Sequence, residues 1–303
     1  MRGLLVELLT RLNLSRPIPF GLSLSKPKGN NSSTSLNQWY VKAWLILGLQ
    51  VLSACQSPVA KLQAQAEQLH LKRLEWPANS YVISLFYQLG IAGEVLHVYL
   101  EGDGQPWLQG LRPAIDPTTH NSLILPLMAM DQSPDLSLGR PCYNGHAQDL
   151  GCDPRIWTSA RYSREVVDAM ANALESFCKA YGYQHIVLIG HSGGGSLAML
   201  LAQRLPQTQL VITLAGNYDI DAWADYHHYL RLTESLNPAQ QPPTGIPEWH
   251  FLGEQDTVIP PKLFVSALKQ RANGQVEVLP NIKHQQGWEV IWPHILKRLG
   301  QQD

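Results

Sequence analysis

From residue 80 onward, short apolar runs alternate with longer segments that have an amphipathic pattern. The apolar runs predict strands, and the segments with a period near 3.6 predict helices. The predicted strands are Tyr81–Tyr87, Val95–Leu100, His185–Ile189, Leu210–Leu214, Glu248–Leu252 and Val276–Leu279. The predicted helices are Ser163–Tyr181, Gly194–Leu205, Lys262–Arg271 and Trp288–Leu299, preceded by a polar, helix-prone run from Ala60 to Arg73. Strands that alternate with such helices favour right-handed βαβ units and a mainly parallel sheet flanked by helices.

The segment from Tyr218 to Pro247 interrupts this alternation and is rich in Tyr, His, Pro and Gln. We interpret it as a small lid-like insertion over the carboxyl edge of the sheet, where ligands of such folds bind. The pattern shows no internal repeat and no second domain. Residues 80–303 are therefore predicted to form one domain, with a linker and amphipathic segment over residues 55–79.

The first 54 residues have a different character. Residues 15–37 are rich in Ser, Asn, Pro and Gly without a helical or strand period, which is typical of unfolded chain. Residues 41–54 contain one positive charge, a mostly apolar run and then small residues before Cys55. This is the arrangement of a signal peptide, and it is too short for the roughly 20 residues of a membrane-spanning helix.

The sequence Leu-Ser-Ala-Cys at 52–55 resembles the lipobox of bacterial lipoproteins, in which the cysteine is lipidated and becomes the mature N-terminus. The resemblance implies that Cys55 anchors an exported protein in a membrane of the cell envelope. Gln56 after the cysteine resembles lipoproteins of the outer membrane, facing the periplasm. The alternative is a short buried helix. Since signal peptides span only ~15–30 residues, residues 1–40 are predicted to be disordered or untranslated, with synthesis starting at Val41.

The bulk composition is that of an ordinary globular chain. Of the 303 residues, 45% are hydrophobic and 16% are charged, which is enough for one well-buried core. The net charge of −1 and the lack of a basic stripe argue against a nucleic-acid partner. The four cysteines form no C-x-x-C pair and the 11 histidines no H-E-x-x-H cluster, so no metal is predicted. The oligomeric state stays open.

Residues 190–194, Gly-His-Ser-Gly-Gly, form a G-x-S-x-G motif. An apolar strand runs into it and an Ala/Leu-rich helical segment runs out of it, which is the context of a nucleophile elbow. Glycines on both sides of Ser192 let strand and helix approach without a Cβ clash. The Gly193 N–H at the helix start then faces a developing oxyanion. A phosphate-binding loop is the alternative, but the chain lacks the Lys-Ser/Thr of a P-loop and the G-x-G-x-x-G spacing.

In enzymes with such an elbow, the acid and then the base follow the serine along the chain. The predicted acid is Asp256, on the loop after the strand Glu248–Leu252, from which it can reach the imidazole and stabilise its charged form. Glu254 in the same turn is one alternative. Asp219 and Asp221, after the preceding strand, are a stronger alternative.

The predicted base is His284, on the loop after the last strand, Val276–Leu279. His294 lies in the terminal helix, and His191 is the variable residue of the elbow, where a side chain packs beside the serine. The remaining candidates precede or miss that loop: His227, His228 and His250.

A second oxyanion donor is expected on Gly-rich backbone after an early strand. Glu101-Gly102-Asp103-Gly104 occupies that place. If its first two residues correspond to the His-Gly pair of many such enzymes, the donor is the N–H of Asp103.

With these residues in place, residues from about 80 to 300 resemble the α/β-hydrolase superfamily. More narrowly, they are similar to a group of uncharacterised Gram-negative α/β-hydrolase lipoproteins. The shared features are Glu-Gly-Asp-Gly (101–104) with Trp107, Asp116-Pro117, Arg140-Pro141-Cys142, Cys152-Asp153-Pro154 with Trp157-Thr158, Arg161-Tyr162-Ser163, Gly-His-Ser-Gly-Gly-Gly (190–195) and Ala-Gly-Asn (215–217). The resemblance implies the α/β-hydrolase fold but no substrate, because one fold serves many chemistries.

The sequence therefore predicts a serine hydrolase that cleaves an ester of a small-molecule or acyl substrate through an acyl-enzyme. A peptidase or amidase with the same triad is one alternative, and a non-catalytic surface lipoprotein is another. No cofactor is expected, because His and Asp suffice to activate a serine.

Export would bring the chain into an oxidising compartment, where disulfides persist. Cys142 and Cys152 bracket a polar loop and are predicted to form a disulfide. Cys178 is predicted to stay free and buried on its helix.

Overall fold

The computed structural model describes residues 57–90 and 95–301. The predicted leader, the signal peptide and the lipidation site Cys55 lie outside these residues, so they stay predictions from sequence.

The described chain alternates between strands and helices. The strands are β1 (Lys72–Ala78), β2 (Tyr81–Gln88), β3 (Leu96–Leu100), β4 (Trp107–Leu108), β5 (Arg112–Pro113), β6 (Asp135–Leu138), β7 (Ile186–His191), β8 (Thr208–Leu214), β9 (Glu248–Gly253) and β10 (Gly274–Leu279). The α-helices are α1 (Pro58–Gln68), α2 (Ile124–Met128), α3 (Arg164–Tyr181), α4 (Gly193–Ala202), α5 (Ile220–His227), α6 (Pro261–Lys269) and α7 (Trp288–Leu299). Short 3₁₀ helices lie at Pro154–Trp157 and Pro238–Gln240.

Eight strands form one sheet in the order β1-β2-β6-β3-β7-β8-β9-β10. The strands from β6 to β10 in this order are parallel, and β2 pairs antiparallel with both β1 and β6. The carboxyl ends of the six parallel strands therefore meet at one edge, which we call the carboxyl edge. Loops at this edge are where such sheets bind ligands.

The centre of the core is β7 with α4. All six residues of β7 and all ten of α4 are buried, as expected for a strand covered on both faces and a helix that is apolar on all sides. The longest of the described helices, α3, begins where the Ser163 hydroxyl accepts a hydrogen bond from the Val166 N–H. It ends at Gly182, whose φ of 82° stops the helix.

The predicted elements correspond to β2, β3, β7–β10, α3, α4, α6 and α7, with ends displaced by a few residues. The helical run predicted from Ala60 to Arg73 is wrong at its end, because the helix stops at Gln68 and β1 begins at Lys72. Strand β6 was not predicted, since it has only four residues and begins with a buried acidic residue, Asp135.

The segment predicted as an insertion lies between β8 and β9 and contains α5 and the second 3₁₀ helix. It packs on the loop before α3: the Tyr162 N–H donates to the Ser235 hydroxyl, and the Leu236 N–H donates to the Tyr162 carbonyl. The insertion is therefore held against the carboxyl edge.

The predicted disulfide between Cys142 and Cys152 is present, with 5.5 Å between the two Cα atoms. Cys178 is free and buried on α3, as predicted. None of the helices in the described part of the chain is long and apolar enough to cross a membrane.

Candidate active site

Ser192 lies in a sharp turn between β7 and α4. Its backbone has a φ of 54° and a ψ of −121°, a sparsely populated conformation for a residue with a side chain. The turn requires glycine on both sides: a Cβ on Gly190 would lie 2.2 Å from the Gly194 carbonyl oxygen, and one on Gly194 would lie 2.1 Å from the Leu100 carbonyl oxygen. The strained turn holds the half-buried Ser192 hydroxyl at the carboxyl edge.

Two loops bring the other predicted triad residues to this hydroxyl. His284 follows β10, and its Nε2 lies 3.0 Å from Ser192 Oγ. Asp256 follows β9, and its Oδ2 lies 2.8 Å from His284 Nδ1. The structure thus brings the three side chains into one hydrogen-bonded series.

The Asp256 carboxylate is buried and uses both oxygens. While Oδ2 faces His284, Oδ1 accepts the N–H groups of Val258 and Ile259, each at 2.8 Å. Burial alone would raise the pKa of Asp256, but the hydrogen bonds from His284 and the two N–H groups outweigh burial and lower it. Asp256 is therefore a carboxylate that can hold the proton of His284 on Nδ1.

The backbone of His284 is fixed by two aromatic rings. Its carbonyl oxygen lies 2.8 Å from His191 Nε2 and accepts a hydrogen bond from Trp288 Nε1 at 3.0 Å. Burial and the neighbouring imidazole lower the pKa of His191 to about 3, so its ring is neutral and donates from Nε2. His191 therefore orients the loop of His284.

The alternative acids and bases have other partners or lie at the surface. Asp219 accepts two backbone N–H groups at the start of α5, and Asp221 bonds to side-chain amides of the insertion. Glu254 and His294 are exposed. His250 is buried between a threonine hydroxyl and a carboxylate. Across the described residues, no three His, Cys, Asp or Glu side chains are grouped as metal ligands would be.

The loop after β3 passes beside Ser192. A Cβ on Gly102 would lie 3.4 Å from Ser192 Cβ. The backbone N–H groups of Gly193 and Asp103 make no hydrogen bond to another described residue. Both predicted oxyanion donors therefore have no acceptor among the described residues.

The Asp103 side chain lies in a buried charge cluster that the sequence did not predict. Its carboxylate accepts hydrogen bonds from Arg140 at 2.9 Å, Arg161 at 2.8 Å and the Tyr162 hydroxyl at 2.6 Å. Both arginines are only 5% exposed. Burial alone would raise the pKa of Asp103, but the two guanidinium groups hold it well below the usual range. We call these four residues the Asp103 cluster.

The insertion also contacts the loop of Asp256. From α5, Trp223 Nε1 and His227 Nε2 lie 3.0 and 2.8 Å from the Val258 carbonyl oxygen. The N–H of the same Val258 binds Asp256. The position of α5 is thus linked through one residue to the buried carboxylate.

Comparison with known proteins agrees with this architecture. A family model described as alpha/beta hydrolase fold matches residues 143–233, which include Ser192. No curated protein matches the sequence.

Comparison with solved structures also finds proteins of this fold. An esterase from Pyrococcus furiosus has a TM-score of 0.54 at 13% identity, over 78% of this chain and 91% of its own. A proline iminopeptidase from Mycobacterium smegmatis has a TM-score of 0.54 at 10% identity, over 76% and 98%. A membrane phospholipase A, described as a bacterial virulence factor, has a TM-score of 0.51 at 14% identity, over 88% and 98%. At such identities the likeness establishes the fold alone. The mostly parallel eight-stranded sheet and these matches show that the protein has the fold of the α/β hydrolases.

Proposed function

We propose that this protein is a serine hydrolase that cleaves a carboxylic ester. Ser192 is the nucleophile, His284 the general base and Asp256 the acid that orients the base. One observation carries the proposal: hydrogen bonds of 3.0 and 2.8 Å join the three side chains in series at the carboxyl edge. Such a series is the geometric signature of an activated serine.

In the first half of the reaction, Ser192 Oγ attacks the acyl carbonyl carbon while its proton moves to His284 Nε2. The carbonyl electron pair moves to oxygen, and the N–H groups of Gly193 and Asp103 stabilise the oxyanion. When the electron pair returns, the C–O bond to the alcohol breaks. His284 gives its proton to the departing alcohol, and the acyl group remains on Ser192.

In the second half, water replaces the alcohol. His284 Nε2 takes a proton from the water as its oxygen attacks the acyl carbon, and the second oxyanion forms at the same donors. Its collapse breaks the bond between the acyl carbon and Ser192 Oγ and releases the carboxylic acid, and His284 returns the proton to Ser192 Oγ. Asp256 stabilises the charged imidazole in both halves.

Exposed apolar side chains in segments between the strands and helices support an ester with an apolar acyl chain. They are Leu111 (81% exposed) in the turn between β4 and β5, Leu150 (98%) between β6 and α3, and Leu230 (90%) after α5. Covering such surface with an acyl chain is favourable by about 25 cal/mol per Å². An esterase and a phospholipase are among the structural neighbours. Since a peptidase is another neighbour, an amide is the second candidate.

The test is hydrolysis of p-nitrophenyl esters of increasing chain length beside aminoacyl and peptide anilides. We expect ester turnover that Ser192→Ala abolishes. The matched control is Ser196→Ala, four residues along the same helix, whose hydroxyl only binds the Asn217 carbonyl. Turnover of anilides alone would make the protein an amidase. Ester hydrolysis retained by Ser192→Ala would contradict the proposal.

A further inference from the structure

We infer that the side chain of Asp103, held by Arg140, Arg161 and Tyr162, positions the backbone that binds the oxyanion. The inference rests on the proposed function, because it concerns the same site. These four side chains are positioning residues that act through Gly193 and through the Asp103 backbone.

The Asp103 carboxylate and the Tyr162 hydroxyl contact the elbow at Gly193. A Cβ on Gly193 would lie 2.0 Å from Asp103 Oδ1 and 2.3 Å from the Tyr162 hydroxyl. The carboxylate and the phenol therefore pack directly on the Cα of the residue that supplies one oxyanion donor. The other donor is the N–H of Asp103 itself. One side chain thus fixes the distance between the two donors.

The loop that contains Asp103 is fixed at its backbone as well. Arg140 Nη2 donates to the Glu101 carbonyl at 2.8 Å, and the Tyr143 hydroxyl donates to the Asp103 carbonyl at 3.0 Å. Peptide groups on both sides of Gly102 are therefore held. An error of about 1 Å in the position of a catalytic group can cost ~100-fold in rate, so this restraint bears directly on catalysis.

The charge of the Asp103 cluster also favours an oxyanion. The cluster contains two guanidinium groups and one carboxylate, so its own side chains carry one positive charge in excess. The carboxyl of Glu101 interacts with Arg140, and burial raises the pKa of Glu101 above its usual value. Burial raises the pKa of Tyr162 and that of Tyr143, the latter to about 12, so both phenols are neutral. A buried positive charge acts through a medium of low effective dielectric and favours a developing oxyanion.

The discriminating variant is Tyr162→Phe, which removes one hydrogen bond to Asp103 and keeps the ring and both ion pairs. We expect kcat on a p-nitrophenyl ester to fall about tenfold with KM nearly unchanged. This loss is smaller than the ~100- to 1000-fold loss in kcat that removal of a whole oxyanion donor causes. The matched control is Tyr81→Phe, another buried tyrosine whose hydroxyl binds a carboxylate, that of Glu165, at 2.5 Å. It should leave kcat unchanged.

A second readout separates positioning from general destabilisation. Phenylboronic acid forms a tetrahedral adduct with an active serine, so its inhibition constant should rise in Tyr162→Phe by the same factor as kcat falls. The shape of the pH profile of kcat should not change. Asp103→Asn should lose about 100-fold in kcat, as expected for a misplaced catalytic group. If that variant fails to fold, Tyr162→Phe decides.

Three results would overturn the inference: wild-type kcat in folded Tyr162→Phe, a change confined to KM, or an equal loss in Tyr81→Phe. Failure of the proposed function gives a different result, because ester hydrolysis would then persist in Ser192→Ala or the wild type would turn over anilides alone.

Discussion

Replacing Asp256 with asparagine changes one atom of the proposed triad and reverses one hydrogen bond. The two backbone N–H groups that Oδ1 accepts, from Val258 and Ile259 at 2.8 Å each, select the oxygen of the new amide. The amide nitrogen is then directed at His284 Nδ1. Because an amide N–H can only donate, Nδ1 must accept, and the proton of the neutral ring moves to Nε2. That nitrogen faces Ser192 and can no longer take its proton.

The magnitude follows from these contacts. If the asparagine amide were rotated by 180°, its NH₂ group would face the N–H groups of Val258 and Ile259, and two hydrogen bonds of about 1 kcal/mol each would be lost. The orientation with the amide nitrogen toward His284, which is unproductive, therefore dominates. An unproductive tautomer costs ~10⁴ in kcat, which corresponds to ~5.5 kcal/mol in the barrier. The fold should be retained, because both backbone hydrogen bonds survive.

The assay is kcat on a p-nitrophenyl ester together with the urea unfolding curve. Asp219→Asn is the matched control, because Asp219 is the stronger alternative acid and asparagine caps a helix as well as aspartate does. It should keep wild-type activity. Full activity in Asp256→Asn, or a loss of ~10⁴ in Asp219→Asn, would refute the assignment of the acid.

Three other predictions concern stability and location. Burial and the Asp131 carboxylate raise the pKa of Asp135 to about 8, so the folded chain keeps a proton that the unfolded chain loses near pH ~4. The free energy of unfolding should therefore fall as pH rises between these values, and urea titrations of Asp135→Asn should lack this fall. Reduction of the Cys142–Cys152 disulfide should lower stability by about 3 kcal/mol in the chain-entropy model. The double serine variant, which reductant should not affect, is its control. From the lipobox alone we propose that Cys55 carries the lipid anchor, so Cys55→Ser should move the protein from the membrane to the soluble fraction; unchanged fractionation would contradict this.

Features that depend on residues adjacent in the chain could be predicted from sequence. The elbow at Ser192 has a local signature, since glycines at fixed offsets lie between an apolar strand and a helix. The positions of Asp256 and His284 followed from chain order and from the strand that precedes each one. The structure brings all three together.

The Asp103 cluster could not be predicted in this way. Its partners Arg140, Arg161 and Tyr162 lie 37, 58 and 59 residues further along the chain, and no local period links such positions. In the sequence they are noted only as residues of motifs shared with the α/β-hydrolase lipoproteins that the chain resembles. Strand β6 was missed for a similar reason, because its pairing with β2 and β3 compensates for a short sequence that starts with Asp135.

The most direct test of the account is covalent labelling of the wild-type protein and of Ser192→Ala with a fluorophosphonate. The reagent phosphonylates a serine that a base activates, so the account predicts one adduct, on the wild-type peptide that contains Ser192. It predicts no adduct on the variant, whose circular dichroism should match that of the wild type. Equal labelling of a folded Ser192→Ala protein would show that the reactive group lies elsewhere and would contradict the central claim.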